Sequence, residues 1–151
     1  MDNELPEINL KAIGIVRNRV KHAPGAGYKW PDVISEIVLD DSLTDALDNL
    51  NEFSHIIVLY WMHRSTSQVP IKVHPQGRKE LPLMGVFATR SPHRPNPVGK
   101  ATVRLLQRQG NILKVKGLDA IDGTPVIDIK PYIPGYDSVD DAKVPLWITN
   151  R

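Results

Sequence analysis

Two segments concentrate the residues able to do chemistry. In Gly85-Val86-Phe87-Ala88-Thr89-Arg90-Ser91-Pro92-His93-Arg94-Pro95-Asn96-Pro97-Val98-Gly99, an apolar strand runs into a loop stiffened by three prolines. Proline fixes φ and removes N–H donors, so this piece is neither helix nor central strand. A rigid backbone loses less entropy when polar groups close on a ligand. The planar guanidinium forks of Arg90 and Arg94 suit a carboxylate or a phosphate, which they grip through paired hydrogen bonds. The alternative is a structural loop whose arginines satisfy backbone carbonyls. Two arginines, a histidine and an asparagine on so short a segment exceed what loop closure requires.

The second segment is Leu118-Asp119-Ala120-Ile121-Asp122-Gly123-Thr124-Pro125-Val126-Ile127-Asp128-Ile129-Lys130-Pro131-Tyr132. Alternation puts Ile127 and Ile129 on one strand face and Val126, Asp128 and Lys130 on the other. An acid between isoleucines is disfavoured in mid-strand. Asp128 is therefore paired, for instance with an arginine of the first segment, or it serves a site. Asp122 either serves a site or stabilises the Asp122-Gly123 turn through Asx contacts. A third candidate is His63-Arg64, at the exit of the most apolar stretch, where polar residues line a barrel rim. A histidine there can equally be a hydrogen-bonded structural residue.

Other chemistries find little support. His63, His74 and His93 are spaced 11 and 19 apart, with no H-x-x-x-H pair and no nearby carboxylate, which argues against a metal site. The chain has no cysteine, so a disulfide scaffold, thiolate metal ligands and a catalytic thiol are excluded. Ser65 and Ser91 lack the G-x-S-x-G setting of a serine hydrolase. Gly25-Ala26-Gly27 is followed by Tyr28-Lys29-Trp30 and opens no helix, which argues against a Rossmann-type nucleotide site.

The elements that must position these residues are mostly strands. Segments 8–16, 33–39, 55–62, 84–89, 101–109, 112–117 and 126–130 read as strands, and 144–148 as a last strand or a segment that packs on a partner. Segment 55–62 is apolar on both parities and should be buried on both faces. Gly110-Asn111 is a two-residue hairpin signal. Leu43, Ala46, Leu47 and Leu50 form one apolar stripe, predicting a helix over 42–50 capped by Ser42 with Asp45 completing a capping box. Segment 64–82 has no periodicity and reads as a long loop of the kind that forms lids and binding sites. About seven short strands with one short helix predict a mainly β fold, a small barrel with long irregular loops.

The formal net charge of +2 hides an uneven distribution. Residues 54–118 hold eleven Lys and Arg and one acid, Glu80, whereas the rest of the chain holds eight bases and sixteen acids. So one-sided a segment seeks an anionic partner, unless it is only a solvated face. At 151 residues the chain is expected to be one domain with its own core. Its longest apolar run, 56–62, is seven residues, far short of the roughly 18 that cross a membrane. The acidic start Met1-Asp2-Asn3-Glu4 lacks the order of a signal peptide. A cytoplasmic protein with no membrane and no metal is the expectation.

Segments 85–99 and 118–132 resemble the two hallmark segments of the TsaA-like family, whose characterised members are TrmO-type tRNA methyltransferases. Ile13-Gly14-Ile15-Val16-Arg17, Phe53-Ser54-His55-Ile56-Ile57 and His63-Arg64 also look like family motifs, so the resemblance spans residues 8–135. It implies a single TsaA-like barrel domain over 1–151, without the C-terminal domain of longer members, assembled as a homodimer. It implies S-adenosylmethionine as methyl donor and, as substrate, the N6 nitrogen of threonylcarbamoyladenosine next to the tRNA anticodon. Pro24, Gly25, His63, Arg64, Arg90, Arg94, Asp122, Gly123, Thr124 and Pro125 match positions where the family places the donor. The target nitrogen is urea-like and a poor nucleophile, so a base or a charge-stabilising carboxylate should help. Asp128 and His63 are the catalytic candidates. Two other readings stay open: a methyltransferase acting on another RNA or a small molecule, and a non-enzymatic β-barrel RNA-binding module. The basic segment offers only Tyr60, Trp61 and Phe87 for base stacking, all in apolar strands, which counts against the latter.

Overall fold

The most apolar stretch of the chain becomes the central wall of the fold. In the computed structural model, which describes residues 4–25, 27–63 and 69–149, β3 (His55–Trp61) runs antiparallel to both β6 (Val98–Gln109) and β8 (Pro125–Pro131). Ile56 and Val58 point into the core, and Ile57 on the opposite parity is buried as well. β1 (Gly14–Arg17), β2 (Ile34–Leu39) and β7 (Ile112–Lys116) complete a closed antiparallel barrel in the order β1-β2-β7-β6-β3-β8. A short ladder of β4 (Lys72–Val73) and β5 (Met84–Gly85) stands beside it. The expected small β-barrel is therefore correct, with six strands in the barrel and two outside it among the described residues.

Alternation fills the interior. Leu113 and Val115 of β7 are fully buried while Lys114 and Lys116 face water. With Val16, Ile37, Ile56, Val58, Val103, Leu118 and Val126 they form one core cluster. The β6–β7 hairpin turns at Gly110, whose φ of 60° falls in the left-handed region.

Local expectations fail where side chains compete with the backbone. The stretch expected to be an α-helix over 42–50 is a 3₁₀ helix, Asp41–Leu47, followed by a 3₁₀ turn, Leu50–Glu52. Its cap is Asp40, which accepts from the backbone N–H of Ser42 at 2.9 Å and from its hydroxyl at 2.6 Å, so Ser42 lies inside the helix. Thr44 donates to the Asp41 carbonyl at 2.7 Å, and such short polar side chains favour tight turns over a continuing α-helix. Leu43, Leu47 and Leu50 still face one end of the barrel, while Ala46 stays exposed.

Three further segments depart from expectation. Segment 84–89 is two residues of strand followed by a 3₁₀ turn, Val86–Ala88. Segment 144–148 is not a strand: a short helix, Leu146–Thr149, sets Trp147 and Ile148 against Pro75 and Phe87 of the same chain. In β8 the expected face assignment breaks at Ile127. Leu59 stands opposite Asp128 and Tyr60 opposite Val126, so Ile127 is an extra, bulged residue. Val126 therefore enters the core and Ile129 packs against it, while Asp128 and Lys130 pair outside at 3.2 Å.

Candidate active site at the barrel mouth

One end of the barrel gathers the exit of β3, the start of β6, the β1–β2 loop and the β7–β8 loop. A cavity of about 280 Å³ opens there, with Pro24, Trp30, Tyr60, His63, His93 and Thr124 in its wall. Gly99 of β6 lies opposite Tyr60 in register. A Cβ on Gly99 would collide with the tyrosine ring, so the glycine is what lets the ring occupy the barrel end. The buried Tyr60 hydroxyl then needs a partner. It donates to Asp119 Oδ1 at 2.7 Å.

The pair is electrostatically distinctive. Burial, and then the neighbouring Asp119 charge, push the Tyr60 hydroxyl far above an ordinary phenol. Asp119 keeps one edge open to solvent, but surrounding protein strips enough water to raise its carboxyl above the usual value, with the Tyr60 hydrogen bond and the Arg90 charge acting against the rise. The Arg90 charge thus acts on both members of the pair. Arg90 makes no hydrogen bond or ion pair of its own among the described residues. It lines an adjoining hollow of about 480 Å³, which meets the cavity at Pro92.

The loop carrying Asp119 is fastened by hydrogen bonds from β1's exit. Asn18 Nδ2 donates to Ser35 Oγ at 2.9 Å and to the Ala120 carbonyl at 2.8 Å, while its Oδ1 accepts the Val20 N–H. Asp122 accepts the Asn18 N–H at 2.9 Å and pairs with Lys21 at 3.0 Å. Those contacts, the Asn18 bond first, hold its carboxyl below the usual range. Gly123, at a φ of 85°, turns the chain and donates to the Val16 carbonyl. Thr124, buried, caps the turn by donating to Ile121 at 2.6 Å.

The structure sorts the candidate residues into groups. Pro24, His63 and Thr124 line the cavity together, with Gly25 beside Pro24 and Arg90 facing the Tyr60–Asp119 pair. Asp122 and Gly123 hold the turn beneath it. Arg64 lies outside the described residues. Arg94 is turned onto its own loop: Nη1 donates to the carbonyls of Thr89 and Ser91, both at 3.0 Å, and the guanidinium sits 5.9 Å from the Phe87 ring centroid. Pro125 faces a separate outer groove with Trp61 and Val98. Asp128 borders the hollow at the opposite barrel end, beside Leu39 and Leu47, so it does not converge with His63. The residues that sequence reasoning missed are Tyr60 and Asp119. A tyrosine inside an apolar strand was the available signal, since its hydroxyl requires a partner.

The chain is similar to several known proteins. Residues 16–138 match the family model described as tRNA-methyltransferase O N-terminal domain. A probable S-adenosyl-L-methionine-binding protein of Methanothermobacter thermautotrophicus is 47% identical over 136 residues, covering 88% of this chain and 96% of its own length. The mouse tRNA (adenine(37)-N6)-methyltransferase is 44% identical over 100 residues, covering 66% of this chain and 23% of that protein. The crystal structure of TrmO from Pseudomonas aeruginosa superposes with a TM-score of 0.78 at 31% identity, covering 97% of this chain and 64% of that one. The chain spans 37% of the length of an Archaeoglobus fulgidus relative, so its relatives include proteins of nearly its own length and much longer ones. By the extent of the family match and the shared barrel, the chain belongs to the tRNA-methyltransferase O N-terminal domain family.

Proposed function

We propose that this chain is an S-adenosylmethionine-dependent tRNA methyltransferase whose target is the N6 nitrogen of threonylcarbamoyladenosine beside the anticodon, acting in the cytoplasm as a homodimer. The observation that carries the reading is the convergence of both sequence hallmarks on one mouth, around a Tyr60–Asp119 pair and an unengaged Arg90. The site fits such a donor: Arg90, which makes no hydrogen bond or ion pair among the described residues, offers a cation for its carboxylate, Asp119 a carboxylate for its positive charge, and Trp30, Met62 and Pro24 an apolar wall for its base. When bound, S-adenosylmethionine supplies an electrophilic methyl group.

The protein's own part is placement. Holding two reactants in line can contribute roughly 7–11 kcal/mol. Asn18 and Asp122 fix the loop that carries Asp119, and Tyr60 orients its carboxylate. With Asp119 Oδ1 taken by Tyr60, the proton leaving the nitrogen goes to His63, exposed on the cavity wall. The test is incubation of the purified chain with labelled donor and tRNA bearing the threonylcarbamoyl group, followed by nucleoside mass spectrometry. Label on that nucleoside is expected. Calorimetry showing no donor binding, with or without tRNA, would sink the proposal, and transfer to a different nucleoside would replace the substrate. Sedimentation at micromolar protein tests the dimer.

A further inference from the structure

The outward face where β6 meets β7 carries charges that the fold does not need. Arg104 stands opposite Lys116 of β7 on one side and opposite His55 of β3 on the other. Residues directly opposite in antiparallel strands are only ~4.5–5.5 Å apart, and like charges so placed destabilise a sheet. Lys100 continues the row along β6, four residues or ~13 Å from Arg104, and Lys114 continues it along β7. All four cations are exposed. None forms an ion pair among the described residues, and the acid that comes into register, Glu36, stands opposite Lys114.

Three other cations of the basic segment are engaged. Arg78 pairs with Glu80, Arg108 with Asp48, and Arg94 holds its own loop. Tertiary structure thus collects free cations on one sheet face. That face begins at the cavity rim: Lys100 follows Gly99, which lies against the Tyr60 ring, and Lys116 precedes Asp119 by three residues. Thr102, Gln107 and Gln109 separate the charges, and the exposed large apolar residues on and beside this face are Val98 at the start of β6, Leu106 farther along it, and Ile34 of β2 opposite Lys116. A protein interface would show an apolar or aromatic centre, and a membrane-binding face would show apolar groups to insert. With no aromatic residue on β6 or β7 to stack bases, the face suits phosphates.

We infer that an RNA phosphodiester backbone lies across the β6–β7 face, gripped by Lys100, Arg104 and Lys116, which leads the target nucleotide over the rim to the Tyr60–Asp119 cavity. This deepens the methyltransferase reading and rests on it for the target nucleotide, though not for the phosphate contacts. The test compares the full chain with a Lys100→Gln/Arg104→Gln/Lys116→Gln variant and a Lys72→Gln/Lys79→Gln/Lys143→Gln control. Binding of a tRNA transcript is followed by fluorescence anisotropy across a salt series, with donor affinity and melting temperature measured on each protein. The first variant should bind tRNA at least ~10-fold more weakly and show a salt slope shallower by roughly 2–3. Its donor affinity should be unchanged and its melting temperature equal or higher, since a like-charge pair is gone. The control should lose markedly less. A first variant with parental affinity and slope, a control that loses as much, or a parent without tRNA affinity overturns the inference. If the parent methylates tRNA and the variant does so equally, the face is wrong while the cavity reading stands. If the variant loses tRNA binding and the parent never binds donor, the face stands and the methyltransferase reading falls.

Discussion

Replacing Gly99 with alanine tests how barrel packing and the site are linked. The new methyl would stand 2.4 Å from two carbons of the Tyr60 ring and 2.9 Å from its hydroxyl oxygen, whereas carbon atoms prefer separations of ~3.5–4.0 Å. The ring must retreat by ~1 Å or more. Tyr60 has two side-chain torsions with which to swing, but the residue is 5% exposed and its hydroxyl is tied to Asp119 at 2.7 Å. A retreat of that size takes the hydroxyl out of hydrogen-bond range. Two costs follow: overpacking, ~1–3 kcal/mol, and loss of a hydrogen bond to a charged group, ~1.5–3 kcal/mol. Water reaching the open edge of Asp119 offsets part of the second, so a total near 2–4 kcal/mol is expected. For a chain of this length that lowers the melting temperature by roughly 4–16 °C. Thermal denaturation measures the loss, and calorimetry should show donor affinity falling with it. Adding Tyr60→Leu to Gly99→Ala removes the ring and should restore stability without restoring donor affinity, a coupling visible in the double-mutant cycle. A Gly99→Ala protein that melts and binds donor like the parent would refute the reasoning.

Other perturbations separate loop support from ligand contact. Asn18→Ala removes three hydrogen bonds that join β1's exit to Ser35, Val20 and Ala120; at ~1 kcal/mol each it should cost about 2–3 kcal/mol and raise amide exchange over 120–122, and unchanged exchange there would remove Asn18 from the support of the site. Arg94→Ala should lower the melting temperature, because Nη1 holds two loop carbonyls. Arg90→Ala should leave stability near parental and weaken donor binding at least ~10-fold, the worth of one charged hydrogen bond; the reverse pattern would exchange the two roles. Asp119→Asn carries a pH signature. Burial raises the Asp119 carboxyl above its ordinary 3.8, so the folded state favours the neutral form. That preference is fully present below the ordinary value and is lost as pH rises through the raised one. Asparagine is neutral throughout, so the variant should gain stability over the parent as pH rises toward neutral, while binding donor more weakly; a constant stability difference across pH would show that burial of the charge is not felt.

The β architecture was legible in the chain because alternation is a local property. Leu113 and Val115 against Lys114 and Lys116 announce a half-buried strand, and the two-parity apolar run at 55–62 announces the wall at the centre. The hallmark segments were equally legible, and Pro92, His93 and Thr124 from them meet Pro24 and His63 at one mouth. Other features depended on neighbours distant in sequence. One bulged residue, Ile127, broke the expected alternation of β8 and turned Val126 into the core, while the position of Asp128 along the strand set it at the other end of the barrel from His63. Asp40 took the cap from Ser42, because its side chain reached two donors at once.

The sequence by itself determined that the protein is a cysteine-free β-barrel with a strongly basic segment and two proline- and glycine-marked site loops. Periodicity, composition and motif identity are written residue by residue, so they needed no coordinates. Only the tertiary structure decided which polar groups act and which support. Tyr60 and Asp119 are 59 residues apart in the chain, and they meet because Gly99 clears space for the ring. Folding of its own loop occupied Arg94, Arg90 makes no hydrogen bond or ion pair among the described residues, and the β6–β7 hairpin set Arg104 opposite Lys116. Charge count is a property of the chain, whereas whether a charge is engaged depends on what folding places beside it.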